Sequence, residues 1–133
     1  MTFSGIDSLF IILLKIIEES VNRMILNFDE LQTTTIPNFY GGEKEVRAKM
    51  HVDKRNKIML GRLAPGASIG LHTHETNSEI LYVLEGEGKV LFDGDYEKVR
   101  GGLCHYCPKG HAHSLINDSE KDLVFFAVVP EQA

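Results

Sequence analysis

Gly66-Ala67-Ser68-Ile69-Gly70-Leu71-His72-Thr73-His74-Glu75-Thr76-Asn77-Ser78-Glu79-Ile80-Leu81-Tyr82-Val83-Leu84-Glu85-Gly86 reads as a strand, a polar turn and a second strand. Residues two apart on a strand share a face, so the rings of His72 and His74 point the same way. In a chain with six histidines such a pair is a weak signal taken alone. Glu79 strengthens it. It follows the turn-prone stretch Glu75-Thr76-Asn77-Ser78 and opens the apolar run Ile80 to Leu84. A turn of that length lets the second strand run back beside the first, with Glu79 facing the same interior. The plainer reading is a solvated carboxylate at a strand start. Against it, a carboxylate entering an apolar strand needs a partner, and a metal ion is a good one.

Outward from this stretch the chain keeps the same texture. Strands are expected over 45–52, 57–64, 69–74, 79–84, 87–92, 96–99, 104–107, 112–117 and 122–129. The separators are turn residues: 53–56, Pro65-Gly66, Asp93-Gly94, Gly101-Gly102, Pro108-Lys109-Gly110 and Asn117-Asp118-Ser119. Asp93-Gly94 is a hairpin signal, because both central residues of the tightest hairpin turns need positive φ. Short strands at close, even spacing predict an all-β fold, a sandwich or barrel. Eight or nine of them fit a jelly roll.

A second stretch completes the chemistry. His113 follows the turn 108–110 and enters a new strand. Three neutral imidazoles and one carboxylate suit a divalent Mn, Fe, Co, Ni, Cu or Zn ion rather than Ca or Mg. Four protein ligands leave one or two positions open for water, substrate or dioxygen. The spacings are specific. The first stretch runs Gly66, five residues, His72, one, His74, four, Glu79, six, Gly86. The second runs Gly102, five residues, Pro108, one, Gly110, two, His113, three, Asn117. Between them lie fifteen residues, 87–101.

These two motifs resemble those of the cupin family at all ten defining positions, over roughly residues 44–130. The resemblance implies a double-stranded β-helix (jelly-roll) barrel of the small single-domain, conserved-barrel type. It implies that His72, His74, Glu79 and His113 are the ligands of one metal ion, and that the chain pairs as a homodimer. Gly66, Gly86, Gly102 and Gly110 then serve turns, Pro108 presets one, and Asn117 is a turn-forming side chain rather than a substrate contact.

Other residues were weighed against plainer roles. His111 lies two residues from His113 but at a variable position of the motif, and is expected not to ligate. His105 could line the cavity as an acid or base; a packed or surface histidine is the preferred reading. His51 is placed on the outside. Tyr82 and Tyr106 are candidate donors to a metal-bound anion, but Tyr82 faces away from Glu79 by strand parity. Arg47, Lys49 and Arg62 are candidates for a substrate carboxylate, although strand cations are usually solvated. Cys104 and Cys107 are three apart on one strand, roughly 10 Å from each other and on opposite faces. That is too far for a disulfide, so both are expected reduced, which fits a cytoplasmic protein.

The bulk numbers agree with one soluble domain: 133 residues, 43% apolar and 25% charged. The formal charge of −5, with no dense basic run, argues against nucleic acid as a partner. Residues 1–26 differ from the rest. They read as a helical extension, with Ser4 or Asp7 as caps, preceding a barrel domain over 27–133. The apolar run is too short for a membrane span and lacks the features of a signal peptide. Such a helix either covers an apolar patch or precedes an alternative start at Met24, and the second is preferred.

Three functions follow from a metal in a small barrel. The first is non-redox isomerase, epimerase or lyase chemistry on a small oxygenated metabolite such as a sugar or keto acid, with the metal as Lewis acid. The second is an Fe(II)-type dioxygenase. The third is a small-molecule binder or sensor without catalysis. The first is preferred, with a small, mostly apolar pocket as the expected site.

Overall fold

The computed structural model describes residues 8–20 and 25–132. The caps Ser4 and Asp7, and Met24, lie outside those residues. One helix, α1 (Ser8–Ser20), precedes ten strands. They are β1 (Thr34–Pro37), β2 (Glu45–Val52), β3 (Asn56–Leu63), β4 (Ser68–Thr73), β5 (Glu79–Glu85), β6 (Glu87–Phe92), β7 (Asp95–Arg100), β8 (Cys104–Cys107), β9 (Ala112–Ile116) and β10 (Leu123–Pro130). Every strand expected from the sequence is present, with ends shifted by no more than a residue. β1 was not foreseen. It is four residues long, closes with a proline and sits at a sheet edge, the place where proline is tolerated in a sheet.

Pairing is antiparallel throughout, in sheets ordered β1-β2-β3-β10-β5-β8 and β4-β9-β6-β7. Inward residues of both meet in one core. Val46, Met59, Leu63, Leu81, Val83 and Phe125 come from the larger sheet, and Ile69, Val90, Val99 and Leu115 from the smaller. This is the jelly-roll arrangement expected. Phe125 sits opposite Gly61 across the β3–β10 ladder, and its ring occupies the space a side chain at Gly61 would need. The β6–β7 hairpin turns on Asp93 and Gly94, both at positive φ (48° and 87°), as their sequence requires.

Leu9, Ile12 and Leu13 of α1 pack against the core, beside β2, while Phe10, Ile11 and Leu14 stay exposed. Among the described residues no helix is long and apolar enough to cross a membrane. Cys104 is exposed, Cys107 buried and both are free, as their opposite strand parities dictate. Asn117 is fully buried and holds its own turn. Its amide donates to the Leu63 and Lys121 carbonyls, and its oxygen accepts from the Ser119 backbone N–H and hydroxyl.

Candidate metal centre

β4 carries His72 and leads directly into His74; β5 opens with Glu79; β9 carries His113 opposite His72. Strict alternation along β4 would not deliver this. It would group Ile69 with Leu71 and Thr73, leaving both histidines on the opposite face from the core residue Ile69. The β4–β9 register slips by one residue between Ile69 and His72, a β-bulge. Ile69 is buried, Leu71 is thrown outward and 58% exposed, and His72 turns in. Gly70 sits in the bulge, where a Cβ would run into the Tyr40 carbonyl.

The donor atoms converge. His74 Nε2 is 3.1 Å from Glu79 Oε1 and 2.9 Å from His113 Nε2. His113 Nε2 is 2.9 Å from the same carboxylate oxygen, and His72 Nε2 is 4.0 Å from it. One donor atom from each of the four residues lies within 4.8 Å of the others. Ligand atoms about 2.1 Å from a shared ion stand roughly 3 Å apart at right angles and about 4.2 Å apart across it. The individual distances of 2.9, 3.1 and 4.0 Å lie close to these values and the widest spread is 4.8 Å, so the four residues are able to hold one metal ion.

The outer ring nitrogens agree with this. His72 Nδ1 donates to the Gly70 carbonyl at 2.7 Å. His74 Nδ1 donates to Asn77 Oδ1 at 2.6 Å, and the Asn77 amide nitrogen donates to Glu131 at 2.8 Å, which fixes the orientation of that amide. Both Nε2 atoms therefore present lone pairs to the centre. Lone pairs and a carboxylate this close repel unless a cation lies among them.

The electrostatics of the metal-free cluster differ between its rings. Burial pushes His72 down to about 4, so its ring is neutral at physiological pH. Burial opposes ionisation of Glu79, but its contacts with His113 and His74 outweigh it and hold the carboxyl well below the usual range. At His74 burial is likewise outweighed, by Glu79 and Asn77, and the ring is raised.

His105 is packed on the inward face of β8, where it lines neither the inner cavity nor the cleft. Its Nε2 is 2.9 Å from His113 Nδ1. Burial, reinforced by His113, lowers it to about 4. It is a neutral partner that orients His113. His111 is not at the centre: it pairs with Asp93 at 2.8 Å and stacks on Phe92. His51 pairs with Asp53 at 2.9 Å, and Tyr82 and Tyr106 are exposed on the outer face. The three cations considered are elsewhere. Arg47 meets Glu45, Arg62 meets Asp122, and Lys49 donates to the Phe28 carbonyl.

Two side chains missed by the sequence reading border the centre. Tyr40 stacks on His72, ring centroids 4.1 Å apart and nearly parallel. Its backbone is left-handed (φ 52°), in a tight turn between Asn38 and Gly42. Non-glycine residues held this way cluster at functional sites. Burial, then the charge of Glu79, raises its phenol, which stays a proton donor at neutral pH. Lys57 comes from β3. Its inward parity with Met59, Gly61 and Leu63 was the available signal, but Ile58 and Leu60 are as apolar as the inward set and mask it.

An inner cavity of about 20 Å³ is walled by Tyr40, Lys57, Ile69, His72, His74 and Glu79, among others. It adjoins a cleft of about 750 Å³ edged by residues 52–57 and 72–77 together with Val129, Glu131 and Gln132. The cleft is more polar than the apolar pocket expected, because the β2–β3 turn contributes Asp53, Lys54 and Arg55.

Comparison with known proteins agrees with this fold. The chain is 35% identical over 112 residues to the oxalate-binding protein of Thermotoga maritima, covering 80% of this chain and 93% of the relative. It superimposes with a TM-score of 0.77 on a crystal structure described as a predicted oxalate decarboxylase of T. maritima. That match is at 32% identity and covers 81% and 99% of the two chains. A Cupin 2 conserved barrel domain protein from Salinispora arenicola shares the fold, with a TM-score of 0.64 at 23% identity, covering 82% of this chain and 89% of that one. Residues 59–129 match the cupin domain model, and with the barrel and its three-histidine, one-glutamate cluster in place, the chain belongs to the cupin family.

Proposed function

We propose that this protein binds one divalent transition metal through His72, His74, Glu79 and His113, and with it holds a small chelating carboxylate of the oxalate class. The observation that carries the reading is the convergence of four donor atoms within 4.8 Å, at the end of a cavity that opens to a cleft. The resemblance to an oxalate-binding protein supports the ligand class. The ion is Mn, Fe, Co, Ni, Cu or Zn, as the donor set prefers. When bound, it supplies Lewis-acid attraction for carboxylate oxygens. The protein supplies the rest. Gly70 and Asn77 hold two imidazoles in the ligating tautomer, His105 aims a third, and the stacked Tyr40 ring covers one side of His72.

Binding is favoured over turnover by what else lines the inner cavity. Apart from His72, His74 and Glu79, its ionisable walls are Tyr40 and Lys57. The Tyr40 phenol, its pKa raised, is a proton donor; burial lowers Lys57, while the charges of Glu79 and Glu131 oppose that and favour its ammonium, so both groups suit anion recognition.

Metal analysis of protein purified without added metal, followed by calorimetric titration with oxalate, tests the proposal. About one equivalent of transition metal and metal-dependent oxalate binding are expected, and Glu79→Ala should lose both. Oxalate binding that survives removal of the metal would overturn it. Anaerobic consumption of oxalate would shift the reading to a non-redox lyase, and oxygen-dependent consumption with iron to a dioxygenase.

The homodimer implied by the family belongs to the same proposal. The outer face of β5 and β8 exposes Ile80, Tyr82, Leu84 and Tyr106 together, an apolar surface suited to a second copy. Sizing chromatography should show a dimer that Tyr82→Lys weakens; a native monomer refutes it. Action in the cytoplasm, which two free cysteines suit, is part of the same reading.

A further inference from the structure

Lys57 is a lysine turned inward. It shares the parity of Met59, Gly61 and Leu63 on β3, and lines both the inner cavity and the outer cleft. Lys44 and Lys49, by contrast, end on the backbone carbonyls of Pro65 and Phe28. Among the described residues the Lys57 ammonium makes no hydrogen bond or ion pair. It sits over the Phe39 ring, 5.6 Å from the centroid, within the electrostatic reach of Glu79 and Glu131. Drawing an ammonium into such a place costs free energy unless an anion meets it there.

The charges at the centre say which anion. A divalent ion brings two positive charges, the three imidazoles none, Glu79 takes one away and Lys57 restores one. The surplus equals the charge of a dicarboxylate. The inner cavity, about 20 Å³, has room for roughly one water-sized group. A ligand reaching the metal must therefore extend past the point where cavity and cleft join, where Lys57 and Tyr40 line both.

We propose that Lys57 reads the charge of the ligand. Its ammonium takes the carboxylate oxygens that the metal leaves free, so the site selects small dicarboxylates over monocarboxylates of the same size. This rests on the reading above, that a carboxylate binds at the metal. It adds a specificity-determining residue, with the Tyr40 hydroxyl as a neutral second donor at the same junction.

The test compares oxalate with glyoxylate, a monoanion of nearly the same size and shape, by calorimetry on metal-loaded native protein, Lys57→Gln and Lys57→Met. Metal content and thermal melting are measured on each protein; the methionine variant keeps the chain length and packs among apolar neighbours if the glutamine variant does not fold. Oxalate affinity should fall about 10- to 100-fold in the variants, the loss expected for one charge-assisted contact. Glyoxylate affinity should change less than about 3-fold, with metal content unchanged. Unchanged oxalate affinity, or equal losses for both ligands, would overturn the assignment of Lys57 while leaving carboxylate binding intact. Native, metal-replete protein that binds neither anion would overturn the carboxylate reading itself, and this inference with it.

Discussion

His105 and Asn77 show how much of the candidate metal centre lies one residue behind the proposed ligands. Neither contributes a donor atom to the cluster, yet each fixes a ring that does: His105 at 2.9 Å from His113, Asn77 at 2.6 Å from His74. Removing an outer partner of this kind typically lowers metal affinity about 10- to 100-fold. His105→Phe should show that loss in a competitive chelator titration while keeping a barrel of near-native melting temperature. An unchanged metal affinity would mean that His105 only fills space. The four residues able to hold a metal ion were legible in the sequence because their spacing is bound to local turns: Glu79 must follow a hairpin-length gap, and His113 must follow Pro108 and Gly110. The supporting residues were not. His105 comes from β8 and Lys57 from β3, and nothing near them in sequence indicates which rings or cavities they meet.

At the level of the element, β4 decides whether the site exists. Its bulge places Ile69 and His72 on the same side of the sheet, and Gly70 makes room for the Tyr40 turn pressed against it. Tyr40 in turn stacks on His72. Gly70→Ala forces a Cβ into the Tyr40 carbonyl, so one of the two must move. Such overpacking typically costs about 1–3 kcal/mol. Urea denaturation should register a loss of that order, and Tyr40 fluorescence should lose its sensitivity to added metal. A variant as stable as the native protein would show that the turn yields freely. The strands were legible from their punctuation, and Asp93-Gly94 adopts the positive φ pair its chemistry demands. The bulge was not, since strict alternation is the default reading of a strand and a one-residue slip depends on the register of β9.

Across the whole molecule, two sheets enclose a largely apolar core into which the histidines converge, and this shapes its response to acid. His72 and His105 are both lowered to about 4 from an ordinary value of 6.5, chiefly by burial. Between those limits the unfolded chain binds protons that the folded metal-free protein does not. Stability therefore rises with pH across that window and is lost as the pH falls through it. His74, raised instead, has the opposite sign: its contribution is fully present below 6.5, where both states are protonated, and is lost only as the pH rises above that, so it adds no slope in the acid window. Thermal melts of the metal-free protein should show a midpoint falling as the pH drops from about 6 towards 4. A flat profile would contradict the burial assigned to these rings.

The sequence by itself determined the class of fold, the turns that punctuate it and the four side chains able to share an ion. Each of these follows from local chemistry: periodicity, glycine and proline where φ is constrained, and fixed spacing around a hairpin. Tertiary structure alone decided that β4 would slip by one residue, that Tyr40 would lie on His72, and that an ammonium from a distant strand would face the cavity. Those outcomes depend on partners far away along the chain, and a side chain's neighbours across a sheet are set by register, which no short stretch of sequence contains.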